Sequence, residues 1–129
     1  MATYTLIGKK YSDKLVEEKE RKYKEIKKDF NYELHHGSYY SETIGREVNA
    51  RLQDIESIRN LIEVMELQDK TSTQFRVYNN TFVNISLDEL KQLKSELMEY
   101  GLGVHEKKWD LENKVANATS IETVKSITW

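Results

Sequence analysis

The chain contains no cysteine and no proline, and only five glycines among its 129 residues. Without cysteine there can be no disulfide and no thiolate metal site, a composition that suits a reducing compartment. Without proline no helix loses a backbone donor, so long helices are favoured. No stretch approaches the roughly 18 consecutive apolar residues of a membrane-spanning helix, so no membrane is expected as a partner. The opening "MATYTLIGKK" has too short an apolar run for a signal peptide, and its lysines follow the apolar residues. The formal net charge of −2 lacks the basic excess of a nucleic-acid binder, so no nucleic acid is expected either.

What is present is charge and periodicity. Charged residues make up 33% of the chain and hydrophobic residues 38%. The length suits one domain with a modest core. Residues 3–11 alternate in part and predict a short strand. Ser12 or Asp13 then opens a helix with apolar positions Leu15, Tyr23, Ile26, Phe30 and Leu34, close to the 3.6-residue period. Acids and bases balance along it, with Glu17–Arg21, Glu18–Lys22 and Glu20–Lys24 at i,i+4. So narrow a stripe packs on its own domain, on a partner or on a second copy. Leu15, Tyr23, Ile26 and Phe30 are therefore the candidate partner or oligomer face, and residues 1–36 a candidate oligomerisation arm.

Gly37 ends that helix, and "SYYS" at 38–41 reads as an extended link. Ile44, Val48, Leu52, Ile55, Ile58, Ile62 and Met65 recur at threes and fours and predict a central helix from about 42 to 66. Around Asn79-Asn80, two runs rich in aromatic and β-branched residues predict a hairpin at about 74–85 with a two-residue turn. That register sets Val77 opposite Phe82 and Phe75 opposite Asn84, with Val77 and Phe82 sharing the buried face.

Ser86 and Glu89 form a capping box. The helix behind it buries Leu87, Leu90, Leu93 and Leu97, and Gly101 stops it. Gly101-Leu102-Gly103 reads as a connection into a further helix, about 104–118, with Val104, Leu111, Val115 and Ala118 inward and Trp109 at its edge. Thr119 to Glu122 reads as a second capping box, before a short helix that turns Ile121, Val124 and Ile127 inward. Trp129 either closes the core or stands exposed. With Tyr39 and Tyr40 it is a candidate exposed aromatic contact. The fold class expected is α+β, mainly helical, with four to five helices packed with one small β-hairpin, and 37–129 as the helical domain.

No chemistry stands out. Gly101-x-Gly103 follows a helix rather than a strand, and Glu106 occupies the third glycine position of a dinucleotide loop. His35 and His36 are adjacent, His105 is distant, and no His-x-x-x-His spacing occurs. No serine sits in a Gly-x-Ser-x-Gly elbow. The expectation is no catalytic residue, no metal, no cofactor and no enzyme activity.

Residues 33–129 resemble a phage domain family, domain of unknown function 4376. The likeness is carried by "QFRVYNNTFVNISLDELKQL" and "YGLGVHEKKWDLENKVANATSIETVKSITW", with Gly37-Ser38-Tyr39-Tyr40 and "RLQDIESIRNLIEVME" upstream. Lys108-Trp109, Ala116 to Glu122, Ile127 and Trp129 fall into the family's closing pattern. Two places depart from it. Phe75-Arg76 stands where the family often has a tryptophan, and its aspartate-rich turn is reduced to Ser41-Glu42. The resemblance implies a phage or prophage tail-region setting and no reaction. The expectation is a tail-associated structural or assembly protein that works by protein–protein contacts. Its partner would be itself, as a homo-oligomer, or another phage tail protein. It would be found in the host bacterial cytoplasm during assembly, and in the virion if structural. The alternative is a small phage-encoded inhibitor that binds a host defence protein or its signalling ligand.

Overall fold

The computed structural model describes residues 4–5 and 8–129, and for residues 4, 5, 8 and 9 the backbone alone. In place of one strand over 3–11 it has two short antiparallel strands, β1 (Tyr4–Thr5) and β2 (Gly8–Lys9). Residues 3, 6 and 7 of that expectation lie outside the described residues. Helix α1 spans Tyr11–His36. His35 and His36 fill its last turn, where the helix dipole favours positive charge.

Gly37 follows α1 because a side chain would not fit. A Cβ there would lie 2.7 Å from the Tyr100 hydroxyl and 2.8 Å from the Glu33 carbonyl.

The expected helix from residue 42 begins ten residues late. Residues 38–49 form an antiparallel pair instead, β3 (Ser38–Ser41) with β4 (Arg46–Asn49). Gly45, at φ +70°, turns the chain between them. Ile44 and Val48 mimic a helical repeat by their spacing, yet Val48 is buried from a strand. Helix α2 then spans Leu52–Leu67. The Asp54 carboxylate accepts from the Arg51 backbone N–H at 3.0 Å and from its guanidinium at 2.7 Å, which satisfies the helix start.

The hairpin forms between β5 (Ser72–Arg76) and β6 (Phe82–Ser86), one residue out of the expected register. Phe75 faces Val83, and Arg76 faces Phe82. The loop is three residues long, 78–80, closed by the Val77 N–H on the Thr81 carbonyl at 2.7 Å. Both Asn79 and Asn80 take positive φ, which asparagine tolerates better than most residues. A one-residue slip reverses the faces of one strand. Val77 and Ile85 are buried, while Phe82 stands exposed rather than sharing a face with Val77.

Helix α3 runs unbroken over Leu87–Asn117, so Gly101 does not stop it and no connection forms at 101–103. The Ser86 capping box is present: Ser86 N–H donates to Glu89 Oε1 at 2.9 Å, and Glu89 N–H to Ser86 Oγ at 3.1 Å. A Cβ at Gly103 would meet nothing within 4 Å. Packing does not require that glycine, so Gly103→Ala should stabilise the chain by about 1 kcal/mol in urea denaturation. The last helix, α4, spans Ile121–Ser126. Its cap is Ser120, which accepts from the Thr123 N–H at 3.1 Å, one residue later than the expected Thr119.

The chain divides into two compact units, Tyr32–Val104 and Met1–Asn31 with His105–Trp129. This division differs from the arm at 1–36 and domain at 37–129 that the pattern suggests. The core of the first unit joins Val48, Ile58, Ile62 and Met65 to Val77, Ile85, Leu90, Leu93 and Leu97. In the second, Ile26 packs with Leu111, Val115 and Ile127, beside Tyr23 and Trp129. The architecture is mainly helical α+β, with four helices and small two-stranded antiparallel sheets among the described residues.

Candidate functional site

The α1 stripe is covered by the chain itself. Ile26 and Phe30 are buried, while Leu15 and Tyr23 are half-buried. Phe30 stands edge-on to His105, with ring centroids 4.9 Å apart, and to Trp129 at 6.3 Å. Lys108 Nζ lies 4.8 Å above Phe30, and Lys107 Nζ 4.5 Å above Trp129. Both are cation–π contacts. Ile26 and Phe30 therefore serve a core rather than an open partner face.

Lys22, on sequence a solvated partner of Glu18, is buried. Its Nζ donates to the Ile127 carbonyl at 2.8 Å and pairs with Glu25 at 3.2 Å. Beside it, Lys19 Nζ donates to the Ala116 carbonyl at 3.0 Å, in the last turn of α3, where a cation meets the negative end of the dipole. Tyr11 Oη accepts from the Ile121 N–H at 2.8 Å. No sequence pattern marks these long-range bonds.

The three candidate exposed aromatics separate. Tyr40 is exposed, but Tyr39 and Trp129 are half-buried and packed against cores. Tyr39 lies 5.7 Å from the ring of Tyr100. The Tyr100 hydroxyl donates to Glu33 Oε2 at 3.0 Å. Burial, then that bond and the charge of Glu33, push the Tyr100 hydroxyl up to about 12 from an ordinary 10.0. The neutral phenol is thus favoured by folding. Its stabilisation is full below pH ~10 and is lost as pH rises through about 12. Tyr100→Phe should remove this alkaline loss, read from urea midpoints between pH 9 and 12.

Glu96 is held in the β3–β4 turn. Burial acts to raise its carboxyl, but hydrogen bonds from the Thr43 and Ser41 hydroxyls and from the Glu42 and Thr43 N–H groups outweigh it. The Ser41 bond is 3.0 Å and the Glu42 bond 3.2 Å. The carboxyl is left below its usual 4.5. The stability it contributes is present above that value and is lost as pH falls through the lowered one. These groups satisfy one another and hold the turn shut.

An open groove of about 570 Å³ lies between the end of α3 and α4, lined by buried Leu111, Ala118 and Ile127 and by exposed Lys114, Asn117 and Thr123. Among the described residues no group of three or more His, Asp or Glu is placed to hold a metal ion. No helix among them is long and apolar enough to cross a membrane.

The outer face of α3 carries the feature that a break at Gly101 conceals. Met98, Leu102 and Trp109 are 48%, 53% and 53% exposed. Within the unit Tyr32–Val104, Met98 and Leu102 stand one turn apart, about 40° from one another at roughly 100° per residue.

The order of hairpin, capped helix, Lys108-Trp109 and the closing Ser120-capped helix is now in place, and the family model Domain of unknown function (DUF4376) matches residues 17–128. The chain belongs to this family. As a member it matches from within α1, further toward the N-terminus than the motifs from residue 33 onward indicate. No curated protein and no solved structure gives a significant match.

Proposed function

We propose that this chain is a phage or prophage tail-associated structural or assembly protein that acts by protein–protein contacts and without catalysis. The observation that carries the contact reading is the exposure of Met98 and Leu102, one turn apart on α3, on a chain that is 33% charged. Large apolar side chains one turn apart are unfavourable to leave to water, and exposed apolar patches mark contact sites. The tail setting rests on the sequence resemblance.

The test is a mass-spectrometric inventory of purified particles from the phage or induced prophage. A stoichiometric level in particles supports a virion component. Presence in the lysate and absence from particles removes the structural reading. A pull-down from infected cells then separates an assembly factor, which brings down a tail component, from an inhibitor of a host defence protein.

A further inference from the structure

Strand β6 presents an open edge, and the hairpin fixes which of its backbone groups lie there. At one end the Val77 N–H donates to the Thr81 carbonyl at 2.7 Å, and at the other the Leu87 N–H donates to the Thr71 carbonyl at 2.9 Å. Bonded and unbonded pairs alternate along an antiparallel ladder. Phe75–Val83 and Thr73–Ile85 are therefore the bonded pairs, and Arg76–Phe82 and Gln74–Asn84 the unbonded ones. The N–H and C=O groups of Phe82 and Asn84 consequently point away from β5. They make no hydrogen bond to any described residue. The Ser86 N–H, next along the same edge, is already taken by Glu89 at 2.9 Å.

Nothing in β6 guards this edge. Edge strands of soluble proteins are blunted by lysine, by proline or by a covering element. Phe-Val-Asn-Ile-Ser has no charge and no proline, and among the described residues β6 pairs with β5 alone. Phe82 stands 63% exposed on it. On β5, by contrast, exposed Arg76 is one of the outward-facing residues and puts a charge on that edge.

We propose that β6 pairs antiparallel with β6 of a second copy about a two-fold axis at Val83, joining two hairpins into one sheet. Phe82 of each copy then faces Asn84 of the other, and the outward backbone groups of both satisfy one another. Val83 faces its counterpart at the closer, unbonded spacing, where β-branched side chains pack well. No charge opposes another across the pair. A second copy fits this edge better than a flexible peptide, because its strand is already ordered and loses less freedom on binding. The contact is the same patch on both copies, so it closes as a dimer.

The inference goes beyond the contact reading above and uses a different surface, so its failure would leave that reading standing. Sedimentation velocity of the full chain, from micromolar to millimolar concentration, is expected to show a monomer passing to a dimer. Phe82→Lys with Asn84→Lys sets lysine against lysine across the two-fold axis and should abolish the dimer. Phe82→Lys with Asn84→Glu sets lysine against glutamate at the same positions and should keep it. Asn84→Pro should abolish the dimer and spare the hairpin, because that N–H faces away from β5. Both positions are exposed, so each variant should keep its circular dichroism and melting temperature. A chain that stays monomeric at millimolar concentration overturns the proposal. So does a dimer that the folded lysine variant keeps, or equal loss of the dimer in the two charge variants. Unfolding by Asn84→Pro would show that this N–H serves the hairpin itself, and would overturn it too.

Discussion

Phe30→Ala is expected to cost about 3–5 kcal/mol of unfolding free energy, the range for truncating a buried aromatic side chain. Phe30 is 8% exposed and touches His105 and Trp129 edge-on, with Lys108 over its ring. The substitution removes the ring that Trp129 leans on, so tryptophan emission should shift to the red along with the loss of stability. Val16→Ala, on the same helix but 56% exposed, serves as the control. It should change stability little, because surface substitutions are usually within about 0.5 kcal/mol. If α1 were an arm that met only a partner, Phe30→Ala would leave the melting temperature of the isolated chain unchanged. That outcome would overturn the burial of α1 in its own chain.

Gly37→Ala is the second large effect, expected to cost about 1–3 kcal/mol as overpacking does. The added methyl would meet the Tyr100 hydroxyl at 2.7 Å and the Glu33 carbonyl at 2.8 Å. Phenolic oxygen and backbone carbonyl respond differently. Tyr100→Phe deletes the first obstacle, so the penalty of Gly37→Ala should shrink in that background. It should not vanish, because the carbonyl belongs to the last turn of α1 and cannot step aside without loosening the Gly37 N–H bond to it, 2.8 Å long. A double-mutant cycle in urea reads the difference directly. Equal penalties in both backgrounds would show that the hydroxyl is not what excludes the side chain.

The features legible in the sequence are those that a few neighbouring residues settle among themselves. The Ser86–Glu89 box closes within one helical turn, and it is present as expected. Leu90, Leu93 and Leu97 share a face by their spacing alone, and all three are fully buried. Gly37 ends α1 as expected. Periodicity turns Val104, Leu111, Val115 and Ala118 inward, and all four are buried.

Where the sequence misleads, local preference competes with burial. Two helical glycines cost about 1 kcal/mol each. Burying a leucine or valine side chain returns about 1.5–3 kcal/mol, so a helix that keeps Leu97, Val104 and Leu111 on one face outweighs both. A break at Gly101 also hides Met98 and Leu102 from view as neighbours on one helix. Treating Gly101 as neutral and extending the period through it finds them.

By itself, then, the sequence determined the helical character of the chain, its start and stop signals near Ser86 and Gly37, and most of its core positions. Each of these depends on side chains within a turn or two of one another. Only the tertiary structure decided the hairpin register, the β3–β4 pair, the burial of Lys22 beneath Ile127 and the continuity of α3. Those depend on which side chains the packed core buries, and the free energy of that burial exceeds the local turn and glycine preferences it overrides.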